Sequence, residues 1–250
     1  MAPLDALALA EAPESGVAAR VAALNQRYGG LDARGALSVS IDELFPERVA
    51  MVSSFGADSA VLLHLLSEVD RNLPVIFLDT GRLFAETLQY RTLLAERLGL
   101  TDVRTVAPDP ERLTAKDPHR ALWMTNPDLC CHIRKTEPLQ RALRGFDAWI
   151  TGRKRFQSAV RAELPLFEAD GERIKINPLA GWNSADLKVY AARHELPEHP
   201  LVAQGYPSIG CVPCTSRVLP GEDQRAGRWR GLDKTECGIH TDLEIDGSGI

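Results

Sequence analysis

The sequence has no apolar run approaching the roughly 18–20 residues that a membrane-spanning helix requires. It has no surplus of positive charge either. Lys and Arg number 29 against 34 Asp and Glu, a formal net charge of −5. That balance argues against a nucleic-acid coat or a polybasic membrane binder, and leaves room for a local basic pocket. There is no internal repeat of roughly 20–50 residues and no long low-complexity tract. The opening residues, MAPLDALALAEAPES, lack the basic stretch that begins a secretory signal. They read as a short Ala/Pro/Glu tail leading into a helix, and a cytoplasmic location is expected. Cysteine is scarce, five in 250 residues. In a reducing compartment these five are expected to serve catalysis or metal binding, not disulfides.

What is present is ordinary globular material. Apolar residues make up 44% and charged residues 25%, which excludes a disordered chain. A chain this long buries roughly 70–75% of its unfolded surface, so it needs no disulfide or metal merely to fold. Short apolar runs alternate with helical stretches. Residues 49–52, 75–78, 103–106 and 148–150 read as strands. Residues 60–68, 84–98 (stopped at Gly99) and 136–143 read as helices, with Pro138 tolerated in a first turn. This order predicts an α/β domain with a mostly parallel sheet flanked by helices. Residues 1–45 are expected to form an N-terminal tail and helices, 46–204 the nucleotide-binding core, and 205–250 a loop-rich segment of the same domain with a mobile, acidic end.

In such sheets ligands bind beyond the carboxyl ends of the strands. Three strands run into Gly-containing polar loops: Ser53, Ser54, Phe55, Gly56 and Ala57 after the first, Asp79, Thr80 and Gly81 after the second, and the loop beginning at Gly152 after the fourth. The first loop offers backbone N–H groups and a helix N-terminus to a phosphate. Gly56 permits close backbone approach. The Arg-rich loop from Gly152 to Arg161 adds fixed positive charge. Asp58 reads either as a ligand contact or as the cap of the following helix. His64, His119, His194 and His199 read as structural or surface residues, and Trp123, Trp149 and Trp182 as packing residues.

The cysteines fall into three groups: the adjacent pair Cys130 and Cys131, the C-x-x-C of Cys211 and Cys214, and the isolated Cys237. A C-x-x-C alone reads as a zinc knuckle or redox pair, and an adjacent pair alone as two small buried hydrophobes. Together, four thiolates in two close groups suit a 4Fe–4S cluster better than zinc, because each thiolate takes a different iron. Cys237 lies between Lys234 and His240, with arginines upstream. Positive neighbours raise a thiol's thiolate fraction. The alternative is an inert tail cysteine. Arg225 and Arg228 read as anion ligands or as solvated surface charge, and His240 as a ligand or a tail residue.

Several segments together resemble the iron–sulfur adenosine 5′-phosphosulfate (APS) reductases of sulfate assimilation. They are Cys130-Cys131-His132-Ile133-Arg134-Lys135-Thr136-Glu137-Pro138, Ile209-Gly210-Cys211-Val212-Pro213-Cys214-Thr215, Arg225-Ala226-Gly227-Arg228-Trp229 and Lys234-Thr235-Glu236-Cys237-Gly238-Ile239-His240. Upstream, Ser54-Phe55-Gly56-Ala57-Asp58-Ser59, Leu78-Asp79-Thr80-Gly81-Arg82 and Arg155-Phe156-Gln157-Ser158 also match. The likeness spans about residues 48–240. It implies an adenine nucleotide α-hydrolase-like fold, and conversion of APS with reduced thioredoxin into sulfite, AMP and oxidised thioredoxin. It implies Cys237 as nucleophile and Cys130, Cys131, Cys211 and Cys214 as ligands of a 4Fe–4S cluster that does not change redox state. Lys135 would lie between cluster and substrate, and Arg161, Arg225, Arg228 and His240 would grip the phosphosulfate. Two departures stand out. Phe156 occupies the place of an Asp in many relatives, and Ser216 separates Thr215 from Arg217.

The chemistry has its own logic. A thiolate attacking the sulfur of a phosphosulfate expels AMP and leaves an S-sulfocysteine. An anion attacking an anion needs cations nearby, which Lys135, Arg161, Arg225 and Arg228 supply. With four cysteines on iron, none remains to release sulfite, so thioredoxin or glutaredoxin is expected as a separate protein partner. No nucleic acid or membrane is expected, and the sequence leaves room for a homo-oligomer. The rivals are a reductase of the 3′-phosphorylated substrate (PAPS) or of both substrates, an ATP pyrophosphatase that thiolates tRNA, and a zinc-binding interaction module.

Overall fold

The computed structural model describes residues 16–232, 234 and 236–240. The expected N-terminal tail and the acidic end, residues 1–15 and 241–250, lie outside the described residues. Two helices lead in, α1 (Val17–Tyr28) and α2 (Ala33–Ser38), and α2 runs on into a widened turn over Val39–Leu44. The alternating part then begins: β1 (Val49–Val52), α3 (Ser59–Ser67), β2 (Val75–Leu78), α4 (Ala85–Leu98) and β3 (Val103–Val106). Short helices α5 (Pro110–Lys116), α6 (Leu122–Thr125), α7 (Pro127–Cys131) and α8 (Glu137–Ala142) carry the chain to β4 (Ala148–Ile150). A hairpin of β5 (Phe167–Asp170) and β6 (Arg173–Ile176) and a last helix, α9 (Ser184–Arg193), complete the regular elements.

The six strands form one sheet in the order β3-β2-β1-β4-β6-β5. Every pairing is parallel except β5 with β6. Alternate residues of a strand face opposite sides, and the packing follows that rule. Val49, Met51, Val75, Phe77, Ala148 and Ile150 enter the main core with α3, α4 and the N-terminal helices. Ala50, Ile76 and Trp149 face the other way, against Leu139 and Leu143. Strands apolar on both faces are what a sheet covered by helices on both sides requires.

The four expected strands are present at the expected residues, and α4 ends at Gly99, whose φ of +64° gives the left-handed cap a helix terminus favours. The expected helix over residues 136–143 starts earlier. A widened turn over His132–Thr136 continues α7 into α8, with Pro138 in the first turn of α8. The β5–β6 hairpin and α9 are additions that the strand-by-strand reading did not contain. Strand order steps outward from β1 in both directions, so the crevice between the β1 and β4 loops is the switch point where such sheets bind ligands.

A candidate active site at the carboxyl ends of the strands

A cavity lies at this switch point. It encloses about 270 Å³, near the lower end of small-molecule sites at about 300–1,000 Å³. The loops after β1, β2 and β4 line it, with residues 207–210 and the tail carrying Cys237. Of the residues singled out in the sequence, Ser53, Ser54, Gly56, Ala57, Thr80, Lys135, Gly152, Arg161, Arg225, Arg228, Cys237 and His240 all reach its wall. Phe55, Asp79 and Gly81 do not. Phe55 is fully buried at φ +47°, and its ring packs edge-on against Phe77 at 5.5 Å. The turn that opens the loop around the cavity thus drives this side chain into the core. Asp79 is occupied in accepting the Gly81 N–H.

Asp58 neither caps α3 nor stands idle. No side-chain cap bond forms, and its carboxylate pairs at 3.0 Å with the buried ammonium of Lys154, joining the β1 and β4 loops across the switch point. Burial lowers the Lys154 pKa and Asp58 opposes that shift. Arg153 pairs with Glu168 of the hairpin. Arg153 and Lys154 therefore each have a carboxylate of their own.

The tail docks over the same crevice. The His240 ring lies parallel to the Trp149 indole, 7° between planes and 5.9 Å between centroids. Its backbone N–H donates to the Cys237 carbonyl. Burial, then the charges of Arg153, Arg161, Lys175 and Lys135, push its pKa well below the usual histidine range, so the ring is neutral. Its Nδ1 is buried and has no partner among the described residues. Glu236, next to Cys237, pairs with Arg161 at 2.6 Å and with Arg225 at 3.6 Å.

Cys237 sits half-buried against Cys131, Lys135 and Arg228. Its pKa falls well below the usual thiol range. The Cys131 thiol contributes most by donating to its sulfur; burial opposes, and Lys135, the Ile239 N–H and Arg228 favour the thiolate. Burial works against the Lys135 charge, but the facing sulfurs of Cys237, Cys211 and Cys131 outweigh it and raise its pKa. Lys135 stands in the wall of this cavity and also of a second, smaller one.

That second cavity is where the remaining cysteines meet. Cys130, Cys131, Cys211 and Cys214 are all buried and all line it, with Arg82, Trp123, Arg134 and Trp229. Helix α7 delivers the first pair, and the bridge between Leu83 and Cys211 brings in the second. Thr80 Oγ1 lies 3.3 Å from the Cys211 sulfur. Arg134 anchors the floor through Asp117 at 2.8 Å and the Thr80 carbonyl at 2.9 Å. The Nε atoms of Arg82 and Arg134 are buried without a partner among the described residues. Four thiols around a space edged by unspent donors fit a polynuclear, sulfur-rich group. Two glycines permit the approach of Arg228 to this region. A Cβ at Gly210 would stand 2.3 Å from the Arg228 guanidinium, and one at Gly227 would stand 2.1 Å from the Ser216 carbonyl.

The sequence reading missed Asp58 as a loop-joining partner, along with Lys154, Trp149 as a platform for His240, and Glu236. Burial is not written in a sequence, so Lys154 gave no sign there that it needed a partner. The partners themselves are distant in sequence and left no local trace.

The family model described as phosphoadenosine phosphosulfate reductase domain matches residues 48–217. The adenosine 5′-phosphosulfate reductase of Mesorhizobium japonicum is 54% identical over 244 residues, covering 97% of this chain and 95% of that protein. The protein of the same name from Mycobacterium tuberculosis is 44% identical over 195 residues, covering 76% and 75%. Among solved structures, phosphoadenylyl-sulfate reductase from Candida auris superposes with a TM-score of 0.67 at 29% identity, over 82% of this chain and 98% of that one. Candida glabrata FMN adenylyltransferase, at a TM-score of 0.52 and 19% identity over 84% and 71%, shares the fold.

Proposed function

This chain belongs to the PAPS/APS reductase family as an APS reductase of assimilatory sulfate reduction, and we propose that it moves the sulfur through Cys237. The observation that carries this reading is the placement of the Cys237 sulfur in the wall of the nucleotide-sized cavity, beside Lys135 and Arg228. The relatives give no support to a tRNA-thiolating ATP pyrophosphatase.

The adenosine phosphosulfate lies in the switch-point cavity, with its phosphate against the Ser53–Ala57 backbone at the start of α3. Lys135 and Arg228 face the phosphosulfate, and the neutral His240 offers its unpartnered Nδ1. The Cys237 thiolate attacks the sulfate sulfur. A sulfur–sulfur bond forms as the bond from that sulfur to the bridging oxygen breaks, and the electron pair leaves on AMP. The enzyme is left as S-sulfocysteine. Cations fixed in place before the reaction lower the barrier for an anion meeting an anion.

Sulfite release takes two electrons from an external dithiol of the thioredoxin class. One thiolate attacks the Cys237 sulfur and expels sulfite, and the second resolves the mixed disulfide. Five unpaired thiols and a dithiol reductant suit a reducing, cytoplasmic compartment.

Cys130, Cys131, Cys211 and Cys214 would hold a 4Fe–4S cluster in the second cavity. When bound, the cluster supplies a compact thiolate-ligated group on the far side of Lys135 and braces the loops that carry it. Lys135, shared by both cavities, is the residue through which that side can influence the substrate side.

Cys237→Ser tests the reading. The variant is expected to lose turnover while keeping iron content and AMP binding. Residual sulfite production near the wild-type rate would overturn Cys237 as the acceptor.

A further inference from the structure

The wall of the active-site cavity holds more cations than a single phosphosulfate can use, and their partners sort them. Lys154 is taken by Asp58, and Arg153 by Glu168. Arg161 and Arg225 both meet Glu236. Among the described residues no carboxylate pairs with Lys135 or Arg228. Two unopposed cations therefore face a substrate group that carries one negative charge on phosphate and one on sulfate. Arg161 and Arg225, which resemblance alone would hand to the substrate, are engaged with the tail.

The receptor for Glu236 is built on its own loop. Gln157 Oε1 accepts from Arg161 Nη1 at 2.5 Å, a second contact that fixes the guanidinium beside Glu236. The Glu236 carboxylate then takes Arg161 on one oxygen at 2.6 Å and the Ser158 hydroxyl on the other at 3.1 Å. The Arg161 and Glu236 side chains are 9% and 8% exposed. Removing one member of so buried a pair leaves the other charge uncompensated. The cavity stays open, at about 270 Å³, with the tail docked. Glu236 thus closes the tail without filling the space a nucleotide needs.

We propose that Glu236 is the latch that positions Cys237: held by Arg161, Arg225 and Ser158, its carboxylate docks the tail so that the adjacent thiol faces the nucleotide. This rests on Cys237 as the sulfonyl acceptor. The latch is releasable, because an undocked Glu236 is hydrated in water. A tail that must close on substrate and then offer its adduct to a separate dithiol needs that property. Glu236 is a positioning residue, acting through its neighbour and not on the substrate.

The test compares cluster-loaded wild type with Glu236→Gln, which keeps size and removes charge. With APS and no reductant, S-sulfonation of Cys237 followed by mass is expected to slow by ~10-fold or more. AMP affinity is expected to stay within about twofold, because the latch does not touch the nucleotide. Without nucleotide, amide exchange in the peptide containing residues 236–240 is expected to accelerate, reporting undocking. Unchanged S-sulfonation or unchanged exchange overturns the latch. AMP binding tightened by more than about threefold with normal S-sulfonation also overturns it, and makes Glu236 a plug in the anion site. If wild type itself gains no adduct, the acceptor reading fails, while the exchange arm still reads the latch. If Glu236→Gln does not load its cluster, Ser158→Ala removes a contact to the same carboxylate. A smaller slowing, about threefold, is then expected, and wild-type rates overturn the proposal.

Discussion

Cys237 of the tail lies against Cys131, so the adjacent-cysteine pair and the tail meet at two sulfur atoms. This contact joins the two cavities. Metal ligation requires the thiolate form of Cys131, and a thiolate has no proton to donate. With a cluster on Cys131, support of the Cys237 thiolate would pass to Lys135, the Ile239 N–H and Arg228.

On the proposed mechanism Lys135 is then the principal cation at the attacking sulfur. Lys135→Met is expected to slow S-sulfonation by roughly 10²-fold, the scale of losing one preorganised electrostatic contact. Iron content and AMP affinity are expected to persist. Rate and iron content falling together would place Lys135 in the service of the cluster alone.

Metal analysis separates a cluster from zinc. Anaerobically purified protein is expected to contain iron and acid-labile sulfide in equal amounts, about four of each per chain. Cys214→Ser is expected to lower both sharply. Zinc in place of iron would contradict the cluster reading.

His199 gives a pH dependence unrelated to catalysis. It is 1% exposed, its Nε2 lies 3.1 Å from Thr87 Oγ1, and burial lowers its pKa from 6.5 to about 4. The unfolded chain therefore binds a proton that the folded one refuses. The stabilisation is present above pH 6.5 and fades as pH falls toward about 4. The loss is up to about 3 kcal/mol. Urea unfolding of wild type and His199→Gln across this range is the check. The variant is expected to show a flatter acid limb, and parallel curves would sink the assignment.

Much of the fold was legible because its strands are continuous apolar runs punctuated by Gly and polar loops. Residues 49–52, 75–78 and 148–150 carry their own signal, as does Gly99 at the end of α4. The β5–β6 hairpin was not legible in that way. Phe167–Asp170 and Arg173–Ile176 are short and half charged, and only the Asp170-Gly171 dipeptide marks the turn. At the site, the cysteines announced themselves by type and grouping. The Phe55 side chain turns into the core, a direction set by a backbone angle that composition does not reveal. Glu236, Asp58 and Lys154 were silent as partners, because ion pairs across the crevice exist only once the sheet has brought its loops together.

The most direct measurement is an intact mass spectrum of the anaerobically purified, cluster-loaded protein after mixing with APS in the absence of reductant. The account predicts a gain of one SO₃ group, mapped to Cys237 and erased by reduced thioredoxin. No adduct, or an adduct on any other residue, would contradict it.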